Sequence, residues 1–166
     1  MRSGTSTYGA RRQALLRMYD ALAGYFGPSR WWPAKTPFEV ALGAILTQNT
    51  SWTNVDKALG LLDKATALVP DRVAALAPER LEAAVRPSGF FRQKTKKIYN
   101  LLELLDRYGG LGHGEQDAAL TCFASLETGF LREELLAVPG IGPETADCIL
   151  LYALHRPSFV VDAYTR

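Results

Sequence analysis

The chain has 166 residues, of which 48% are apolar, and it carries 19 basic and 17 acidic side chains, for a formal net charge of +2. This length allows one domain or a small two-lobed body with a sizeable core, and the apolar fraction is that of a globular protein. The near balance of charge does not demand a polyanionic partner, although it leaves room for a local basic face.

The cysteines and the apolar runs indicate the compartment. Cys122 and Cys148 match no metal spacing and make no disulfide framework, so we interpret them as small core residues in a reducing compartment. No apolar run reaches the roughly 18 residues of a membrane span, and the N-terminal stretch lacks the apolar segment of a signal peptide. We therefore expect a soluble, cytoplasmic protein with no membrane partner.

Apolar periodicity predicts helices throughout the chain and no convincing strand. A glycine stop ends the first helix at Gly27, and Pro37 suits the first turn of the second. We expect a loop at 109–116 and an all-helical body of roughly ten short helices. In chain order, the predicted helices cover 9–26, 37–48, 52–66, 71–76, 78–86, the segment within 88–110, 117–125, 129–137 and the residues from 143.

All three tryptophans flank one apolar segment. Trp31 and Trp32 precede Pro33, and Trp52 lies just past the polar cluster 47–50. The segment 38–46 between them is apolar enough for a helix that is buried on most of its circumference. The tryptophans either close the two ends of that core, as the high average burial of this residue favours, or line a pocket.

The strongest local pattern lies near the C-terminus. A predicted helix over 131–137 runs into the turn 138–142, VPGIG, and a second helix starts at Pro143. Two glycines around one aliphatic residue permit a tight turn and leave backbone N–H groups at a helix N-terminus, which suits a DNA phosphate. On spacing alone, an ordinary helical hairpin explains the pattern equally well.

Asp162 follows the apolar run 159–161 beyond this hairpin. A carboxylate in an apolar setting is costly unless it is partnered or takes part in chemistry, so Asp162 is a candidate catalytic residue. Its alternative role is to cap a helix that begins near Ala163, and the two roles are compatible.

With these residues the chain resembles the helix-hairpin-helix DNA glycosylases of the endonuclease III superfamily. The matching residues are 138–147 (VPGIGPETAD) and 161–162, with support from GAILTQNT (43–50) and SGFFRQK (88–94). The resemblance implies a helical barrel over 29–156, including the hairpin 131–155, and DNA held in the cleft beside a second lobe. That lobe comprises residues 1–28 and 157–166, and we expect it to be truncated, since family members continue through further helices.

Within this superfamily, Trp31-Trp32-Pro33 together with LTQNT and Trp52 is similar to the 3-methyladenine DNA glycosylase III branch. This resemblance implies a base pocket with Trp31, Trp32 and Pro33 on one wall and Trp52 on the other. An alkylated purine is cationic, and electron-rich ring faces attract a cation by about 0.5–2 kcal/mol. The pocket is therefore expected to clasp a flipped alkylated purine.

The resemblance also implies a mechanism. Asp162 is expected to stabilise the oxocarbenium-like sugar or to activate the attacking water. Glu144, the other catalytic-site position, stands where bifunctional members carry a lysine, and a carboxylate cannot form a Schiff base. We therefore expect a monofunctional glycosylase. Gln48 either fills the gap left by the extruded base or is simply a polar residue at a helix end.

The remaining expectations concern DNA and ions. The backbone of Gly140, Ile141 and Gly142 is expected to contact DNA together with the side chain of Thr145. The carbonyls of Leu136, Val138 and Ile141 are a candidate site for Na⁺ or K⁺. No other cofactor is expected, and this chain has no four-cysteine iron–sulfur motif. We interpret the basic residues Arg92, Lys94, Lys96 and Lys97 as a solvated helix face.

The expected partner is double-stranded DNA that contains a damaged base, with no obligate protein partner, in a cytoplasmic, nucleoid-associated location if the source is prokaryotic. Two alternatives stay open: a non-catalytic helix-hairpin-helix DNA-binding module, and a glycosylase of this fold for another damaged base. Asp162 and the tryptophans favour an enzyme, because phosphate binding alone requires neither.

Overall fold

The computed structural model describes residues 4–27, 31–115, 119–162 and 165. Within these ranges every regular element is helical and none is a strand, which confirms the all-helical prediction. The chain divides into two compact units, residues 1–33 and 34–166. The hairpin, Gln48 and Asp162 all belong to the second unit.

The helices follow the predicted order closely. Residues 116–118 lie outside the described ranges, so the helix predicted over 117–125 is seen only as the short 3₁₀ helix that follows them. The α-helices are α1 (Gly4–Phe26), α2 (Pro37–Leu46), α3 (Trp52–Thr66), α4 (Pro70–Ala74), α5 (Pro78–Val85), α6 (Phe91–Arg107), α7 (Thr128–Ala137) and α8 (Pro143–Cys148). Two 3₁₀ segments cover Arg86–Ser88 and Ala119–Phe123, and a π-helical turn over Ile149–Ala153 continues α8.

The first unit contains one described helix, α1. It ends as predicted, because Gly27 adopts a φ of +70° and its N–H donates to the Ala23 carbonyl at 2.9 Å. The structure describes no second helix in this unit. The regularly spaced apolar side chains of α1 are exposed: Leu15, Met18, Leu22 and Tyr25.

Helix α2 is the central helix of the second unit, and its sequence explains both its start and its burial. Thr36 caps its N-terminus by accepting a hydrogen bond from the Glu39 N–H at 3.1 Å, and Pro37 occupies the first turn. The Glu39 carboxylate accepts the Lys35 N–H at 2.7 Å. Every residue from Val40 to Leu46 is buried, as the apolar segment predicts.

The core of this unit forms where α2 packs against α3, α6, α8 and the π-helical turn, while α5 packs against α3 and α6. On α6, the side chains at three- and four-residue steps face inward, as predicted: Ile98, Leu101, Leu102 and Leu105. This arrangement places the C-terminal end of α2 beside α6 and the hairpin of α7 and α8.

Candidate functional site

The hairpin turn joins α7 to α8 through residues 138–142. The Ile141 N–H donates to the Val138 carbonyl at 3.0 Å, and Gly142 is the N-cap of α8. Gly140 has a φ of +95°, where residues with a side chain are strained. A Cβ atom on Gly140 would overlap the Lys97 side chain, lying 2.8 Å from its Cδ and Cε.

The second glycine of the turn has a different setting. Gly142 has a φ of −93°, and a Cβ atom there would meet no atom within 4 Å. The turn therefore needs glycine at position 140 for its conformation and its packing, whereas the backbone of Gly142 borders open space.

Gln48, just past the end of α2, is hydrogen-bonded to this hairpin. Its side-chain N–H groups donate to the Thr145 hydroxyl at 2.9 Å and to the Gly140 carbonyl at 3.3 Å. The Lys97 ammonium donates to Oε1, the side-chain amide oxygen of Gln48. The structure thus brings together three residues predicted to contact DNA, Gln48, Gly140 and Thr145, and adds Lys97. We call these four residues the Gln48 network.

The basic residues of α6 correct a sequence-based interpretation. Arg92 and Lys96 are exposed as predicted, but Lys97 is half-buried and Lys94 is only 1% exposed. The Lys94 ammonium donates to the Leu46 carbonyl at 2.8 Å and the Ser88 carbonyl at 2.6 Å. The solvated-face interpretation is therefore wrong for Lys94 and Lys97.

The electrostatics of Lys94 follow from its burial. Desolvation, with a smaller contribution from the charge of Lys97, lowers the pKa of Lys94 to about 8. The sequence contained a signal for this burial, since Lys94 stands four residues before the buried Ile98 on the same helical face.

Two exposed residues beside the Gln48 network were missed by the sequence analysis. Asn49 and Phe90 have φ values of +55° and +45°, and Phe90 is 62% exposed. Such backbone conformations are uncommon for residues with a side chain and are strained, and they often mark functional sites. Asn49 and Phe90 line a small pocket with Gln48, Gln93, Lys94 and Lys97.

Asp162 lies half-buried in an irregular stretch that follows the π-helical turn. Its carboxylate accepts hydrogen bonds from the Thr165 N–H at 2.8 Å and the Thr165 hydroxyl at 2.6 Å. A bond to the N–H three residues later is typical of a helix cap. The helix predicted to start near Ala163 lies outside the described residues, so the capping role stays a prediction.

The surroundings of Asp162 differ from the apolar setting that the sequence suggested. Phe159 and Val161 are 78% and 41% exposed, so the apolar run does not bury the carboxylate. Desolvation raises the pKa of Cys148 to about 12 and also raises the pKa of Tyr152, and the charge of Asp162 contributes to both shifts. The charge of Asp162 thus acts on one residue of α8 and on one residue of the π-helical turn.

An ion pair with a buried carboxylate and a partly exposed guanidinium joins the two hairpin helices, and the sequence analysis missed it. Arg132 of α7 donates through Nε and Nη2 to the two carboxylate oxygens of Asp147, at 2.8 and 3.0 Å. The Ser158 hydroxyl donates to the same carboxylate at 2.9 Å. The hydrogen bonds from Arg132 are the largest cause of a lowered Asp147 pKa. A contact between residues on different helices leaves no periodic signal in the sequence.

The other predicted site residues are placed as follows. Glu144 is exposed in the first turn of α8, and its charge contributes to the raised Cys148 pKa. Trp52 is half-buried as the first residue of α3. Trp31, Trp32 and Pro33 belong to the unit of residues 1–33, so the pocket walled by Trp52 and these residues stays a prediction.

The described residues also bear on metal ions and on membranes. In the described part of the chain, no group of three or more histidine, cysteine, aspartate or glutamate side chains could hold a metal ion. None of the described helices combines the length and apolarity needed to cross a membrane. Leu136, Val138 and Ile141, whose carbonyls are the candidate cation site, lie in or next to the hairpin turn.

Comparisons with known proteins cover most of the chain. The family model of HhH-GPD superfamily base excision DNA repair proteins matches residues 42–166. A candidate DNA repair glycosylase of Methanocaldococcus jannaschii is 42% identical over 155 residues, which are 93% of this chain and 67% of that protein. Endonuclease III of Thermotoga maritima is 30% identical over 129 residues, or 77% of this chain, which spans only 53% of the enzyme.

Solved structures agree with these matches. The crystal structure of the Helicobacter pylori 3-methyladenine DNA glycosylase MagIII bound to 1,N6-ethenoadenine superposes with a TM-score of 0.71 at 35% identity, covering 91% of this chain and 67% of that one. A non-covalent endonuclease III–DNA complex gives a TM-score of 0.68 at 25% identity, covering 92% and 64%. This chain therefore spans about two thirds of these structures, and the hairpin and Asp162 lie within the matched family region.

Proposed function

Because the chain belongs to the HhH-GPD superfamily of base excision DNA repair proteins, we propose that it is a monofunctional DNA glycosylase for alkylated purines, with 3-methyladenine as its substrate. The observation that carries this proposal is Asp162, a half-buried carboxylate whose charge acts on Cys148 of α8, the hairpin helix whose first turn carries Glu144. A DNA-binding hairpin alone requires no such carboxylate.

In the proposed mechanism, Asp162 acts on the sugar of a base that has been flipped out of the duplex. The bond between C1′ and the purine nitrogen breaks, and its electron pair neutralises the positive charge of the alkylated base. Water adds to C1′, and its proton passes to Asp162 or to solvent. The hydrogen bonds from Thr165 fix the orientation of the carboxylate for this step. A cationic leaving group needs no separate general acid.

The absence of lyase chemistry is the second part of the proposal. Covalent strand cleavage begins with attack of an amine on C1′ to give a Schiff base, which a carboxylate cannot form. Glu144 occupies the position at which the resemblance places that amine in bifunctional members. We therefore assign simple hydrolysis to this chain.

Substrate and DNA binding complete the proposal. The MagIII structure holds 1,N6-ethenoadenine, a modified purine. Trp31, Trp32, Pro33 and Trp52 are proposed to enclose the flipped purine, and the electron-rich rings of the three tryptophans attract its positive charge.

The hairpin is proposed to bind a DNA phosphate. The backbone N–H groups of Gly140 and Gly142 bind it, whereas that of Ile141 already donates to the Val138 carbonyl. The open space beside Gly142 supports that approach. The Val138 carbonyl accepts one turn hydrogen bond and keeps a second lone pair. It therefore suits the proposed Na⁺ or K⁺ together with the Leu136 and Ile141 carbonyls.

Base release from alkylated DNA tests the assignment. Duplex DNA carrying radiolabelled methyl groups is incubated with the protein, and the released bases are separated by chromatography. We expect free 3-methyladenine from the wild type and none from unmethylated DNA or from Asp162→Asn. DNA binding without release of any base would instead support the non-catalytic module, and release of a different base would correct the substrate.

Borohydride trapping on abasic DNA tests the monofunctional part. A Schiff base reduced in this way leaves a covalent protein–DNA adduct, and endonuclease III serves as the positive control. We expect no adduct from this protein. A strong adduct would show that another amine, such as a lysine or the N-terminus, acts as nucleophile, and the monofunctional assignment would be wrong.

A further inference from the structure

The stretch that carries Asp162 lacks the usual means of holding a catalytic residue in place. We call residues 154–162 the Asp162 segment; they form no helix or strand. Two of the three apolar side chains that precede Asp162, Phe159 and Val161, are exposed, and Val160 is only half-buried. Polar contacts are therefore needed to fix where the carboxylate lies.

Two side chains attach the Asp162 segment to the helices behind it. The Arg156 guanidinium donates to the Phe123 and Leu126 carbonyls, both at 2.6 Å, and thereby holds the start of the segment. The Ser158 hydroxyl donates to Asp147 at 2.9 Å, four residues before Asp162. Of these two contacts, Ser158 is the nearer to the carboxylate.

The Asp147 carboxylate, which accepts the hydrogen bond from Ser158, is itself held firmly in place. Asp147 is 6% exposed, and Arg132 holds both of its oxygens in a bidentate ion pair that joins α7 to α8. The Asp147 carboxylate therefore cannot rotate away from Ser158 without breaking that pair. Asp147 also directly precedes Cys148, whose pKa responds to the charge of Asp162.

We propose that Ser158, held by the Arg132–Asp147 pair, is a positioning residue that sets the Asp162 carboxylate against the hairpin helix. The inference rests on the proposed function and adds to it a residue that touches neither substrate nor DNA. Of the two anchors, Ser158 lies four residues before Asp162 and Arg156 six, so loss of the Ser158 bond lengthens the tether from the remaining one of these anchors by two residues. Since a misplacement of about 1 Å can slow a reaction roughly 100-fold, a longer tether should reduce the rate of chemistry more than it reduces binding.

The test compares Ser158→Ala and Ser158→Thr in the complete protein, with Ser125→Ala as a control at an exposed serine. Excision is measured in single turnover on methylated duplex DNA, and the Kd for DNA is measured separately. We expect Ser158→Ala to be about 10-fold slower with a Kd within about twofold of the wild type. Ser158→Thr, which keeps the hydroxyl, should restore most of the rate.

Two results would overturn the inference. A wild-type rate for Ser158→Ala would show that the hydroxyl does not position Asp162. A slower rate that Thr does not rescue, or that comes with a matching loss of DNA affinity, would show a general structural role instead. Asp147→Asn is a less selective variant, because it also weakens the ion pair with Arg132 that joins α7 to α8 and so threatens folding.

Hydrogen exchange without DNA separates this inference from the proposed function. Ser158→Ala should speed amide exchange at 159–162 and leave exchange at 143–153 unchanged. If the wild type releases no base but exchange changes in this way, the proposed function fails while the anchor stands. If the wild type releases 3-methyladenine but neither rate nor exchange responds to Ser158→Ala, the proposed function stands and the anchor fails.

Discussion

Two regions beside helix α8 are held in place by different means. The Gln48 network joins the end of one helix, the side of another and a hairpin turn, and its lysine stem packs directly over Gly140. The Asp162 segment has no regular structure and is attached through Arg156 and Ser158. The region predicted to bind DNA is thus joined to three elements of the fold by hydrogen bonds and packing, whereas the region predicted to carry out chemistry depends on a few polar contacts. Changes in the first should alter stability, and changes in the second should alter rate.

The largest expected effect is on rate. Asp162→Asn should reduce base release by about 10³-fold or more, because the amide lacks the charge that stabilises the transition state and accepts a proton from water. The amide oxygen can still accept the Thr165 hydrogen bonds, so the melting temperature and DNA affinity should change little. Single-turnover excision, DNA binding and thermal unfolding measure the three quantities. Glu133→Gln, at an exposed site on α7, controls for the loss of a carboxylate. Comparable rates of excision by Asp162→Asn and the wild type would show that Asp162 has no part in the mechanism.

A comparison of Gly140→Ala with Gly142→Ala tests how the hairpin turn and the Gln48 network, together called the rigid region, depend on each glycine. At Gly140 the new methyl group meets the Lys97 side chain and a φ of +95°, so we expect a loss of about 2–3 kcal/mol in the free energy of unfolding. At Gly142 neither obstacle exists, and the loss should stay within about 1 kcal/mol. Urea unfolding measures both. Equal losses would contradict the different roles that we assign to the two glycines.

The sequence predicted the helices of this protein well, for a physical reason. Apolar side chains at three- and four-residue steps mark a buried helical face, and α2 and α6 bury the residues expected of them. The family resemblance, carried by residues 138–147 and 161–162, is confirmed by the match over 42–166. Gln48 is hydrogen-bonded to both Gly140 and Thr145, and all three residues were predicted to contact DNA.

The contacts that fix the site could not be predicted in the same way. In the sequence, Lys94 is indistinguishable from the other basic residues of α6. Only the tertiary structure shows that its ammonium contacts the Leu46 carbonyl, 48 residues away. The Ser158 bond to Asp147 likewise depends on the path of an irregular segment. Such contacts depend on three-dimensional packing, which leaves no periodic pattern in a single sequence.

The pH dependence of stability tests the burial of Lys94, which lines a small pocket beside the Gln48 network. Its pKa is about 8 in the folded protein and 10.5 for the free side chain. Between these values the unfolded chain holds more protons than the folded one, so raising the pH stabilises the folded state. Relative to Lys94→Met, the wild type should gain about 2 kcal/mol of unfolding free energy between pH 7.5 and 9.5.

The comparison with Lys94→Met is essential, because cysteines with raised pKa values contribute the opposite trend in both proteins. Urea unfolding at several pH values measures the difference. A difference that does not change with pH would mean that Lys94 keeps an ordinary pKa, and therefore that water reaches its ammonium.

The smallest expected effect concerns Gln48, which belongs to the rigid region and is also predicted to fill the gap left by the flipped base. Gln48→Ala removes its hydrogen bonds to Thr145 and Gly140 at a partly exposed site, so the free energy of unfolding should fall by only about 1 kcal/mol. Gln93→Ala, at an exposed glutamine lining the same small pocket, should cost less than about 0.5 kcal/mol.

Excision kinetics then distinguish the two roles of Gln48. If the side chain only holds the hairpin, Gln48→Ala should slow excision equally on fully paired DNA and on DNA in which the damaged base is mismatched. If it also fills the gap, the loss should be larger on paired DNA, because flipping a paired base costs more and the missing side chain no longer offsets that cost. We expect the larger loss on paired DNA. Equal losses would leave Gln48 as a structural residue, and the division between a rigid DNA-contact region and a weakly tethered catalytic segment would be complete.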